Sequence, residues 1–124
     1  MLMLYRAFGI LYLISGIWCA TQIEIAASFL GFTLAVPAGF AEFLSVYGGL
    51  QIGLGVAMLM SSFQSRYVEA SLYFSAIFSS SLTLFRLLSF AIYGVVDDFI
   101  IMLAIEVIIS IGLWWAWFKR KSLG

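Results

Sequence analysis

The chain has 124 residues, of which 65% are hydrophobic and 10% charged, with six cationic and six anionic side chains and no histidine. A soluble domain carries about 25% charged residues, and a chain of this size cannot bury so much apolar surface away from water, so lipid is the expected solvent. The absence of histidine removes the usual haem ligand, metal ligand and general base. One cysteine, Cys19, cannot form an internal disulfide, and no basic stripe fits nucleic acid. No metal or cofactor is expected.

The length allows about four membrane-spanning helices of roughly 20 residues each. The first apolar run covers residues 4–21, and it reads as a retained span rather than a cleaved leader because no small-residue cleavage site follows it. Gln22 and Glu24 interrupt the run. Residues 25–36 are apolar but short, with Pro37 closing them, and are expected to form a connection with one or two helical turns. A second span is predicted over 42–62, and the polar segment SSFQSRYVE at 61–69 separates it from a third over 70–93. Asp97 and Asp98 sit in a short turn, and the fourth span covers 99–118, ending in Lys119, Arg120 and Lys121.

If all four spans cross, Arg6, Arg66 and the 119–121 cluster fall on one side, while Glu24, Glu42, Asp97 and Asp98 fall on the other. Cationic residues stay in the cytoplasm. The expected architecture is therefore all-α: a single domain over 1–124, forming an integral membrane four-helix bundle. It is antiparallel and up-down, multi-pass in the inner (cytoplasmic) membrane, with both termini cytoplasmic. Trp114, Trp115 and Trp117 precede the basic tail, where interfacial aromatics belong.

Two ionisable residues lie inside these runs, Arg86 in the third and Glu106 in the fourth. A charge at membrane depth is costly, and pairing lowers the cost. Both sit about 10–14 Å from the same end at 1.5 Å per residue, and Gln51 in the second span reaches a similar depth. Each span has one stripe at spacings of three and four. These are Tyr5, Gly9, Tyr12, Gly16 and Cys19; Gly48, Gln51, Gly55, Met58 and Ser62; Ser75, Ser79, Thr83 and Arg86; and Met102, Glu106 and Ser110. Gly9, Gly16, Gly48, Gly49, Gly53 and Gly55 are candidates for close helix packing, with Gly49 and Gly53 in the small-xxx-small spacing. Arg86, Glu106, Gln51, Tyr12 and Glu42 are candidates for a ligand site. The alternative readings of the Arg86–Glu106 pair are a structural lock that fixes helix order and a contact with another subunit.

The stretch YGGLQIGLG at 47–55, the Arg86-Leu87-Leu88-Ser89 segment and Glu106 together resemble a small four-helix membrane family, numbered 4345 among domains of unknown function. The chain is similar, more distantly, to the DoxX-like group. Glu42 fits the pattern, whereas Ser45 and Val46 stand where that family often has an arginine. The resemblance implies a four-helix membrane protein without a defined activity. The wider group implies a subunit of a quinone-linked oxidoreductase or an assembly factor.

Three functions are compatible with these features. The first is a non-catalytic accessory or assembly subunit of a larger membrane complex, contacting another membrane protein or itself through the second span or residues 25–38. The second is a binding protein for a quinone or lipid, with Arg86 and Glu106 on the polar head and Gln51 and Tyr12 adding hydrogen bonds. The third is a small homodimeric transporter. Fold resemblance alone does not choose among them.

Overall fold

The computed structural model describes residues 1–123, so Gly124 lies outside the described residues. It is helical, with no strand among them: α1 (Leu2–Thr21), α2 (Ile23–Phe29), α3 (Pro37–Phe43), a π-helical segment (Leu44–Leu50), α4 (Gln51–Ser62), α5 (Ser65–Tyr93) and α6 (Asp97–Leu123). Four stretches, Leu2–Thr21, Pro37–Ser62, Ser65–Tyr93 and Asp97–Leu123, are long and apolar enough to cross a membrane. The chain is a multi-pass membrane protein.

The observed helices run longer than the apolar runs. The second span starts at Pro37 rather than at Glu42. Proline has no N–H to lose in the first helical position, and Pro37 opens the helix instead of only ending the segment before it. The third begins at Ser65 rather than at residue 70, because polar side chains end a hydrophobic pattern without breaking a helix. The fourth continues to Leu123 through the basic tail, with Arg120 and Lys121 in its last turn and Asp97 and Asp98 in its first, as the helix dipole favours. Residues 25–36 contain part of a seven-residue helix, α2, followed by irregular chain with Gly31 at φ +84°.

The structure divides into two compact units. One comprises Met1–Tyr5 and the described residues from Ser61 onward, the other Arg6–Met60. In the Arg6–Met60 unit, α1 and α4 meet through glycines. A methyl group placed on Gly55 would lie 2.7 Å from both the Gly9 carbonyl oxygen and the Leu13 amide nitrogen. One placed on Gly16 would lie 2.8 Å from the Ile52 nitrogen and 2.9 Å from the Gly48 carbonyl oxygen. Only glycine permits backbones this close. Gly48 and Gly9 are buried at the same contact, where an added methyl would meet Ala20 and Leu59.

Gly49 and Gly53 do not belong to this contact. Both are exposed. A methyl on Gly53 would meet nothing within 4 Å, and one on Gly49 would reach only the Leu44 carbonyl oxygen at 3.9 Å. The small-xxx-small spacing lies on the outer face of the helix, while the seven-residue spacing of Gly48 and Gly55 lies on the inner one.

At the other end of this unit, Cys19, Ala26, Ala27 and Phe43 form a buried cluster, with Ile23, Leu30, Leu34 and Tyr47 packed against it. Phe43 stacks on Tyr47 with centroids 4.8 Å apart, and Phe32 meets both edge-on. This cluster fastens α2 and the irregular segment to the start of the second span. Cys19 is a small buried side chain within it.

The glycine contact yields a graded expectation. Gly55→Ala should destabilise the folded protein by about 1–3 kcal/mol, because backbone atoms must move. Gly53→Ala should leave stability unchanged or raise it by up to about 1 kcal/mol through helix propensity. Thermal unfolding of the two variants in one detergent tests this, and equal melting temperatures would contradict it.

Candidate functional site

The site is built on the α5–α6 hairpin. Gly94, at φ +91°, ends α5, and its amide donates to the Phe90 carbonyl at 3.0 Å. No side chain is tolerated there without strain. Only Gly94 to Val96 separate the helices, so α5 and α6 return as antiparallel neighbours along their length.

The buried positions of α5 are Val68, Leu72, Ser75, Ala76, Ser79 and Thr83, and those of α6 are Ile109, Ser110, Leu113 and Ala116. Steps of three and four put each set on one face. Polar partners cross the seam in an ordered progression. Arg86 bonds Glu106, Thr83 Oγ1 lies 3.1 Å from Ser110 Oγ, and Trp114 Nε1 donates to Ser80 Oγ at 2.7 Å. Each rung steps back three residues on α5 and forward four on α6. That is the register two antiparallel helices keep when the same faces stay in contact.

Tyr5 of α1 closes the lower end of this face. Its hydroxyl bonds Ser75 Oγ at 2.9 Å and also Ser71 Oγ. Thr83 donates to the Ser79 carbonyl at 3.0 Å. Ser79 Oγ is buried without a hydrogen-bond partner among the described residues. A lone buried hydroxyl costs about 1–3 kcal/mol.

At the upper end, Arg86 Nη2 donates to Glu106 Oε1 at 2.7 Å, and Nε donates to Oε1 and Oε2 at 3.2 and 3.3 Å. The side chains are 18% and 11% exposed. The guanidinium carbon lies 5.1 Å from the centre of the Phe99 ring, so α6 offers both a carboxylate and an aromatic face to the same cation. Ser89 Oγ donates to the Arg86 carbonyl at 2.7 Å. Arg86 lies about 10 Å and Glu106 about 13 Å along their helices from the hairpin turn, so the pair sits within the spans, where water is scarce.

The structure thus brings Arg86 and Glu106 together. The other three candidates belong to the Arg6–Met60 unit. Tyr12 is half-buried on the glycine face of α1, Gln51 is half-buried at the first position of α4, and Glu42 is exposed on α3. Among the described residues, the hydrogen bonds of the Arg86 guanidinium go to Glu106.

Sequence reasoning missed Phe99 beneath the guanidinium, Ser71 as a Tyr5 partner, and the Trp114–Ser80 bond. Ser71 stands four residues before Ser75 and extends the same stripe, which was a usable signal. Trp114 was grouped with the interfacial aromatics. Its indole instead turns into the hairpin, because a buried N–H needs an acceptor and Ser80 supplies one. No group of three or more His, Cys, Asp or Glu residues among the described residues is arranged to hold a metal ion.

Compared with known proteins, the chain matches no family model, no curated protein and no solved structure.

The pair gives a direct expectation. Glu106→Ala leaves a guanidinium without its counter-charge at membrane depth, and should destabilise the protein by about 3 kcal/mol. Glu24, exposed on α2, forms no ion pair among the described residues, and Glu24→Ala should change stability by less than about 0.5 kcal/mol. Thermal unfolding in detergent distinguishes the two, and equal stability of both variants would contradict a structural role for the pair.

Proposed function

We propose that the protein is a non-catalytic accessory or assembly subunit of a larger membrane complex in the inner (cytoplasmic) membrane. The observation that carries this reading is the closure of Arg86 on Glu106 through three hydrogen bonds, with Phe99 against the cation. The intramembrane charges of α5 and α6 are spent on holding two helices in register, which suits a scaffold better than a reaction centre. Ile101, Ile108 and Ile111 on α6 and Leu84, Phe85 and Ile92 on α5 are exposed apolar side chains, available to lipid or to a partner's helices. The partner is another membrane protein or a second copy of this chain.

The four spans form an up-down bundle in this proposal, with Arg6, Arg66 and residues 119–121 on the cytoplasmic side. The resemblance to the four-helix family numbered 4345, and to the wider DoxX-like group, points the same way through the assembly factors of that group.

One observation favours a second reading, the binding of a quinone or lipid carbonyl. Arg86 Nη1 has no hydrogen-bond partner among the described residues, and the side chain is not fully enclosed. It would donate to an oxygen lying alongside the pair, with Glu106 holding the cation in place.

Native mass spectrometry of the tagged protein, released gently from its own membranes, separates these readings. The accessory reading expects one reproducible larger assembly of fixed stoichiometry. An Ile108→Trp substitution on the outer face of α6 should weaken that assembly without lowering the melting temperature of the subunit. A monomer or dimer carrying one defined small molecule, released by Arg86→Gln, would overturn the accessory reading in favour of the second.

A further inference from the structure

We propose that the basic end of the α5–α6 hairpin holds the headgroup of a phospholipid carrying both a phosphate and a primary amine. A cleft of about 430 Å³ opens there, lined by Ser65, Arg66, Glu69, Arg120 and Leu123. It is separate from the Arg86–Glu106 pair and depends only on the chain lying in a membrane.

The depth of the cleft suits a headgroup. With 29 and 27 residues, α5 and α6 are each about 40 Å long, while the hydrocarbon layer is about 30 Å thick. The first turns of α5 and the last turns of α6 therefore emerge into the headgroup layer. The aromatic residues around them mark the same level. Lys119 lies over the Trp115 ring and Lys121 over Trp117, while Tyr73 packs against Trp117.

The chemistry of the lining selects the ligand. The two lysines are folded onto indole rings, which leaves Arg66 and Arg120 as the cations of the cleft. Arg66 lies over the Tyr67 ring and bonds its hydroxyl through Nη2. Arg120 uses Nη2 for the Ser65 carbonyl at the long distance of 3.4 Å. The remaining N–H groups of both guanidiniums are uncommitted among the described residues, and their fork geometry matches phosphate oxygens. The N-terminus of α5 adds to the attraction. Gln64 provides no side-chain cap, and the first turn contains no acidic residue, so no side chain of that turn offsets the positive end of the helix dipole.

Glu69 decides between headgroups. Its carboxylate lines the same cleft and has no ion pair or hydrogen bond among the described residues. A headgroup with only a phosphate leaves it unanswered. A primary ammonium a few bonds from the phosphate gives it N–H donors, which a trimethylammonium cannot. Leu123 lines the cleft and is exposed, giving apolar surface for an acyl chain.

The test uses the whole protein in nanodiscs containing equal parts of dioleoyl phosphatidylethanolamine, phosphatidylglycerol and phosphatidylcholine. Lipid retained on the protein is read by native mass spectrometry. Phosphatidylethanolamine should be enriched about fivefold over the other two, the weight of one charge contact at the membrane surface. Arg66→Gln with Arg120→Gln should abolish retention of all three. Glu69→Gln should keep phosphatidylglycerol and lose the preference for phosphatidylethanolamine. These side chains line a surface cleft, so unchanged melting temperatures confirm folding of each variant. Retention in proportion to the mixture, or enrichment that survives the double arginine variant, would overturn the proposal. Displacement of the lipid by millimolar inorganic phosphate or phosphoethanolamine would also overturn it, by making the cleft a site for a soluble anion.

Discussion

The hairpin of α5 and α6 depends on one electrostatic constraint: a cation and an anion placed where water is scarce must find each other. An isolated guanidinium or carboxylate at that depth is strongly unfavourable. Arg86 and Glu106 meet only when the two helices return side by side with one rotation and one vertical offset. The pair therefore selects a single register from the many that apolar faces would allow. Apolar packing in lipid is weakly directional, since a leucine contacts a lipid tail about as well as another leucine. The rungs below the ion pair, Thr83 with Ser110 and Ser80 with Trp114, follow from the same alignment. Each is a modest interaction, and together they make the register a property of the whole seam.

The Arg6–Met60 unit is held differently. Its helices meet where side chains are missing, at Gly9, Gly16, Gly48 and Gly55, and backbone touches backbone. Specificity here comes from shape rather than from charge. The chain thus carries two ways of ordering helices in a solvent that offers little hydrophobic drive, one by polar complementarity and one by close approach.

Much of this is legible in the sequence. The stripes Tyr5, Gly9, Gly16 and Cys19 on α1, Gly48, Gly55, Met58 and Ser62 on the second span, and Ser75, Ser79 and Thr83 on α5 coincide with buried positions, because helical periodicity depends only on spacing. The Arg86–Glu106 contact was legible for a similar reason: two costly charges at matching depths on consecutive helices have one economical arrangement. The helix ends were less visible. Hydropathy marks where lipid begins, and α5 and α6 extend past that boundary into polar sequence, where backbone hydrogen bonding alone decides. Gly49 and Gly53 show the limit of motif reading, since a spacing that brings helices together in one setting lies on an outer surface in this one. Phe99 was illegible because nothing in its position separates it from the eleven other phenylalanines.

The π-helical segment Leu44–Leu50 has a consequence of its own. A π turn closes its hydrogen bonds one residue later than an α turn, so this stretch holds more chain per turn than the helix on either side. In a regular α-helix, where each residue advances the azimuth by about 100°, Phe43 and Gly55 would face directions about 120° apart. The wider turn takes up part of that angle, so an aromatic anchor and a glycine contact can serve one buried side of a single span. The segment works as an angular adjuster. The aromatic cluster and the glycine seam each keep their preferred spacing, and the mismatch between them is absorbed in the few residues that carry Tyr47, Gly48 and Gly49.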